Sequence, residues 1–147
     1  MHISDDDVRS VLETIWASFF GAPLETCPPT AIEGGYMGRI RLHGGFEGSV
    51  AVHVSMPLAR RAAAAMFGIP LETVSIEDAR DATGELTNVA GGNLKALSET
   101  FCTLGLPVVV PGAAPDDGPT LSDMWFESEG ALLRVSVRAD ALEQGPS

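Results

Sequence analysis

Lysine occurs once in the 147 residues, at Lys95, and tyrosine once, at Tyr36. Against 9 basic side chains, eight of them arginines, stand 20 acidic ones, for a formal net charge of −11. Such a chain repels a polyphosphate backbone instead of releasing counterions from it, and no basic stripe exists, so nucleic acid is excluded as a partner. The two cysteines, Cys27 and Cys102, have no CxxC or other ligand spacing, and a chain of this size needs no disulfide; buried thiols are expected. The apolar runs Ala62 to Leu71 and Leu104 to Ala114 are short and broken by Gly and Pro, which speaks against a membrane span. The first seven residues are acidic where a secretory signal needs positive charge, so a cytoplasmic protein is expected. No GxxxxGK[ST], HExxH or GxSxG string occurs, leaving nucleotide-loop, zincin and serine-hydrolase chemistry without support.

What is present is an aliphatic core former: 45% hydrophobic with only 6% aromatic residues, at the commonest size for one domain, so residues 1–147 are read as a single domain. Ser4 ahead of Asp5, Asp6 and Asp7 supplies a helix cap, and Val8, Val11, Leu12, Ile15, Trp16 and Phe19 follow at helical spacing, predicting a first helix to about Phe20. A Pro- and Gly-rich loop over 21–35 comes next. From Tyr36 to Ser55 the period becomes two, and a three- or five-residue loop is needed to set Ile40 opposite Val50. Pro57 opens a second helix that ends at Gly68, and Ser75 with Asp78 opens the longest helix, expected to reach about Phe101. Leu106 to Val110 reads as a short buried strand and Pro111 to Thr120 as a mobile loop. Leu121 to Ser128 and Ala131 to Arg138 form a second hairpin, where a two-residue turn at Glu129 and Gly130 places Phe126 opposite Leu133 and Met124 opposite Val135. The fold class is α+β: an antiparallel sheet from two hairpins, helices packed on one face, with a weak internal helix-hairpin repeat.

The longest helix carries the candidate site. At about 100° per residue, with Asp81 at the origin, Glu85 falls near +40°, Asn88 near −20° and Gly92 near +20°. Ala79, Ala82, Leu86, Ala90, Leu94, Leu97 and Phe101 cluster on the opposite, core-facing side. Glu85 and Asn88 are one turn apart, so an anion and a neutral amide address one small volume. Gly84, Gly91 and Gly92 each cost a helix about 1 kcal/mol against alanine, which implies close approach by another surface, such as a partner. The bland alternative is that Asp81, Glu85, Asn88, Lys95 and Glu99 form a solvated helix face. A divalent metal on Asp81, Glu85 and Asn88 would have only two carboxylates and no bidentate loop ligand, and no metal site is assigned.

The string Asp81-Ala82-Thr83-Gly84-Glu85-Leu86-Thr87-Asn88-Val89-Ala90-Gly91-Gly92-Asn93 resembles the signature of the CheX and CheC chemotaxis phosphatases of the CheC/CheX/FliY family. Those proteins carry Asp or Ser, three residues, Glu, two residues, Asn. Asp81, Glu85 and Asn88 fill these positions, the Gly92-Asn93 pair also looks like the family, and so does the order of elements, including Gly48 and the Val50, Val52, Val54 strand. The resemblance implies hydrolysis of the aspartyl phosphate of a CheY-type response regulator, with Asn88 orienting water, Glu85 docking to the regulator's lysine, and Asp81 and Gly92 bordering the partner surface. It implies no cofactor of the protein's own, the Mg2+ being supplied by the phosphorylated regulator. In the first helix Arg9, Glu13 and Trp16 stand where a second motif would need Asn at the last place, so that helix is expected to be silent. This single-site pattern is similar to CheX, which implies a homodimer built through the sheet.

His43 and His53 flank one hairpin without facing each other, and His2 lies near the start, so metal binding by them is not expected. Asn93, at about 120° on the wheel, is expected to be a buried amide bonded to backbone. Trp16 and Trp125 read as core or interface anchors. Cys102, expected at the end of the long helix with no basic neighbour, should be inert. Two other readings stand beside the phosphatase: a non-catalytic docking module for a response regulator or a flagellar or chemoreceptor component, and, more distantly, a metal-dependent small-molecule hydrolase.

Overall fold

Three helices lie on one face of a seven-stranded sheet in the computed structural model, which describes residues 2–97, 101–115 and 118–141. The elements run α1 (Asp5–Phe19), β1 (Glu25–Thr26), β2 (Tyr36–Gly44), β3 (Gly48–Val54), α2 (Met56–Phe67), a 3-10 turn (Leu71–Thr73), α3 (Ile76–Leu97), β4 (Cys102–Leu104), β5 (Val108–Pro111), β6 (Thr120–Ser128) and β7 (Ala131–Ala139). The sheet order is β1-β6-β7-β3-β2-β4, with β5 also on β2, and all pairings are antiparallel.

The two hairpins form as their alternation requires. A three-residue connection, Gly45 to Glu47, sets Ile40 opposite Val50, and Glu129-Gly130 sets Phe126 opposite Leu133 and Met124 opposite Val135. Glu129 and Gly130 both take positive φ, 49° and 83°, as the right-handed twist of a two-residue hairpin demands. The helix starts follow their caps: Ser4 with Asp7 at α1, and Ser75 with Asp78 at α3, each exchange both bonds of a capping box. Gly68 closes α2 at φ 64°.

Several expectations need correction. Helix α3 is described to Leu97, and its expected continuation over residues 98–100, including Glu99, lies outside the described residues. Leu97 and Phe101 are 51% and 81% exposed rather than in the core, and Cys102, buried as a thiol should be, sits in β4 and not in the helix. The short buried strand expected from Leu106 is β5, which starts at Val108 and is only half-buried, at Val109 and Val110, at the sheet edge. Edge strands expose one side, and an apolar run cannot tell an edge from a centre. Loop 21–35 also contributes β1, and Cys27 is half-buried.

The segment after β5, expected as a loop, is bonded to the sheet in its described residues. It passes over the second face of the sheet: Arg39 donates to the carbonyls of Ala114 (3.5 Å) and Pro115 (3.0 Å), Arg138 to that of Gly118 (3.3 Å), and the Ala139 amide to that of Pro119 (3.0 Å). Beneath it Ala51, His53 and Ser136 are buried, so the sheet centre is covered on both faces.

The core rests on a close crossing of α3 over β2. A Cβ added at Gly38 would stand 2.0 Å from Thr87 Oγ1, and one at Gly91 would stand 2.7 Å from Ile40 Cγ2. Thr83 and Thr87 are fully buried at this contact, their hydroxyls satisfied by the carbonyls of Ala79 (2.9 Å) and Thr83 (2.7 Å). On its other flank α3 meets α2 through Ala62, Ala63 and Ala82.

Replacing Gly38→Ala is expected to destabilise the fold by about 2 kcal/mol, in the range of overpacking substitutions, read as a lower urea midpoint. On the second face Arg134 donates to Asp123 at 2.8 and 2.6 Å, which holds the Asp123 carboxyl below the usual carboxylate range. The stabilisation is therefore present above the unfolded pKa of Asp and lost as the pH falls through the depressed folded value. Asp123→Asn should remove that acid-side dependence in pH-resolved unfolding.

Candidate functional site

Because α3 spends its small residues on β2 and its alanines on α2, a narrow strip of the helix is left to solvent. Asp81, Glu85 and Asn88 are exposed on that strip and Gly92 is half-buried, as the helical wheel required. Glu85 and Asn88 stand one turn apart, with side chains about 5–6 Å apart at Cβ. Among the described residues, no hydrogen bond or ion pair engages Asp81, Glu85 or Asn88. The carboxylate and the amide are thus available to something outside the chain.

They do not lie on a flat face. Together with Arg80 and Gly84 they form one wall of an open groove whose other wall is Leu106, Pro107 and Val109. The direction of α3 explains the alignment. Gly84 sits beside Val109, at 3.3 Å from a built Cβ to Cγ2, and Gly92 beside Leu104, at 4.0 Å, so Asn88 lies across from the segment between them. Arg80 reaches the Val109 carbonyl at 3.4 Å and is the only cation lining the groove among the described residues. Neither Arg80 nor the Leu106–Val109 wall was singled out from the sequence. Arg80 falls about 100° from Asp81 on the wheel, at the border of the stripe, and the wall is joined to α3 only by the sheet.

Three glycine and asparagine readings change. The surface that approaches Gly84 and Gly91 is the protein's own sheet and not a partner: both are buried, against Val109 and Ile40. Gly92 has only Leu104 at the limit of contact. Asn93 is exposed rather than buried, its Nδ2 donating to the Val89 carbonyl at 2.8 Å. The wheel gives only the angle: nearer the start of the helix Ala82 and Leu86, on either side of that angle, are fully buried, but at Asn93 the same side is no longer covered.

In α1, Arg9 and Glu13 are exposed, but Trp16 is buried, 2% exposed, with its indole donating to Ser128 Oγ at 3.0 Å. The position where a second motif would present its amide is a core anchor. Trp125 is also buried, with the Arg134 guanidinium 5.1 Å from its ring centre. His43 contacts Glu47 and His53 the Gly34 carbonyl, and burial lowers the His53 pKa. No group of three or more His, Cys, Asp and Glu converges among the described residues. No described helix is long and apolar enough to cross a membrane.

A long helix laid on an antiparallel sheet is the fold this chain shares with CheX and CheC-like chemotaxis proteins of known structure. CheX from Vibrio vulnificus superposes with a TM-score of 0.75 at 24% identity, covering 90% of this chain and 93% of that one. CheX from Desulfovibrio desulfuricans gives 0.72 at 19%, covering 92% and 97%. The Borrelia burgdorferi CheX of a CheX-CheY-BeF3-Mg complex gives 0.68 at 16%, covering 92% and 94%. No curated protein sequence matches significantly. The sequence model of the chemotaxis phosphatase CheX matches residues 36–116, more than half of the chain, and the chain belongs to the CheX family.

The different surroundings of the neighbouring glycines give a stability test. Gly92→Ala, whose methyl meets only Leu104 at ordinary contact distance, should stabilise the protein by up to about 1 kcal/mol through helix propensity. Gly91→Ala should destabilise it by about 1–2 kcal/mol, because Ile40 has nowhere to move. Equal urea midpoints for the two variants would contradict the crossing geometry.

Proposed function

We propose that the protein hydrolyses the aspartyl phosphate of a CheY-type response regulator, with Glu85 and Asn88 as the residues that carry the reaction. The observation behind this reading is the exposed pair itself: an anion and an amide one helical turn apart, unengaged within the chain, in a groove of a CheX-family fold. A relative from Borrelia burgdorferi, described as a complex with CheY, BeF3 and Mg2+, supports a receiver domain as partner.

In this reading α3 presents Asn88 to the regulator's active site, where its side-chain amide orients a water molecule in line with the acyl phosphate. Water oxygen bonds to phosphorus as the bond from phosphorus to the aspartyl oxygen breaks. The products are the aspartate carboxylate and inorganic phosphate, which retains the proton that water gives up. Glu85 pairs with the regulator's lysine and sets the depth and angle of docking; Asp81 and Gly92 border the contact. The Mg2+ belongs to the regulator, and the chain needs no cofactor of its own. Phosphoryl transfer depends mostly on positioning and electrostatics, and a hundredfold acceleration corresponds to only about 2.7 kcal/mol, which one well-aimed amide can supply.

A receiver partner places the work in the cytoplasm. A homodimer formed by pairing sheet edges belongs to the same reading, since β1 covers β6 over Glu127 and Phe126 only. The rival is a docking module that binds a receiver without hydrolysis. The exposed amide favours catalysis, because binding alone has no need of a neutral group one turn from the carboxylate.

The test is loss of phosphoryl group from a phosphorylated CheY-type regulator with catalytic amounts of protein. Wild type should turn over many times, and Asn88→Ala should lose about a hundredfold in kcat while still binding a beryllofluoride-activated regulator. Glu85→Ala should lose binding as well. Unchanged phosphate decay with intact binding by the wild type would leave the docking module as the better account.

A further inference from the structure

We propose that Leu106, on the bulge Gly105–Pro107, is an apolar docking contact for the receiver domain whose active site receives Asn88. The proposal rests on the phosphatase reading and adds the second half of the contact surface. Leu106 is 88% exposed, more than any other large hydrophobic residue among those described. A single exposed leucine is ordinary, but this one lines the same groove as Glu85 and Asn88.

Its placement follows from the sheet edge. Strand β4 pairs with β2 over Leu42–Gly44 and β5 pairs with β2 over Tyr36–Arg39, so residues 105–107 bridge the gap between two anchored strands. The Gly105 amide donates to the Arg41 carbonyl at 2.9 Å, and Pro107 restricts the backbone just beyond. The leucine is therefore held out by a braced backbone, which keeps the ordering cost of docking low. Gly92 against Leu104 and Gly84 against Val109 put the bulge level with Asn88.

The occupant follows from that alignment. A molecule that takes the Asn88 side chain into its own site must enter the groove, and it cannot do so without meeting the wall that Leu106 and Pro107 form. Long-range steering does not bring it there, because the chain carries −11 and a phosphorylated receiver site is acidic as well. Short-range apolar burial supplies affinity that charge does not. The receiver is thus expected to offer an apolar side chain at the mouth of its active site, set against Leu106.

The experiment measures initial rates against the concentration of phosphorylated receiver for the full chain as wild type, Leu106→Asp and Leu106→Met, with sedimentation velocity on each. Because Leu106 is exposed, neither substitution disturbs the core. Leu106→Asp should raise KM about tenfold with kcat within about twofold, and Leu106→Met should behave as wild type. An unchanged KM overturns the proposal. So does a change of oligomeric state in Leu106→Asp, which would make Leu106 a contact between copies of this chain. If the wild type shows no turnover, the phosphatase reading fails separately, and titration with beryllofluoride-activated receiver decides the docking contact: a Kd raised about tenfold in Leu106→Asp supports it, while an equal Kd, or no binding by the wild type, overturns it.

Discussion

Helix α3 can lie as close to the sheet as it does because β2 offers no side chain at Gly38 and the helix offers none at Gly91. Thr87 fills the first gap and Ile40 the second, and the resulting contact sets both the height and the rotation of the helix. With rotation set, Thr83, Thr87 and Gly91 turn to the sheet, Ala79 and Ala82 to the helical layer, and Asp81, Glu85 and Asn88 have only solvent left to face. A methyl group too many at Gly38 or Gly91 would have to be absorbed by moving the helix that carries the site. Core packing and site geometry are in this sense one constraint.

The same crossing makes a groove out of what would otherwise be a helix face. Strands β4 and β5 extend the sheet edge beside α3, so that Leu106, Pro107 and Val109 stand opposite the carboxylate and amide. One wall is polar and hydrogen-bonding, the other apolar. In the proposed reaction the protein supplies position rather than a nucleophile, and this division would suit it: the polar wall would address the reacting centre and the apolar wall offer contact area. The acidity of the chain as a whole tolerates a transient encounter better than a tight one, and catalysis in trans needs the partner to leave.

How much of this was legible depended on whether neighbours in sequence were also neighbours in space. The capping boxes at Ser4 and Ser75, the register of both hairpins and the outward turn of Glu85 and Asn88 all rest on contacts within a few residues or on strict periodicity. The errors share the opposite origin. Leu97 and Phe101 continue the apolar period of α3, yet both are exposed, because periodicity gives the side a residue faces and not whether another element covers it there. Asn93 shares the angle of the buried Ala82 and Leu86 but stands further along the helix, where that side is exposed. Gly84 and Gly91 announced a close approach correctly and left open what approached.

The chain's own order of residues therefore determined the elements, the hairpin registers, the motif Asp81, Glu85, Asn88 and the family to which it points, because helix and strand periods are local properties of the backbone. Only tertiary structure decided that β4 and β5 share one edge of β2, that the segment after β5 closes over the second face, and that Leu106 stands opposite Asn88. Those facts depend on residues far apart along the chain meeting through a third element, and no periodicity records them.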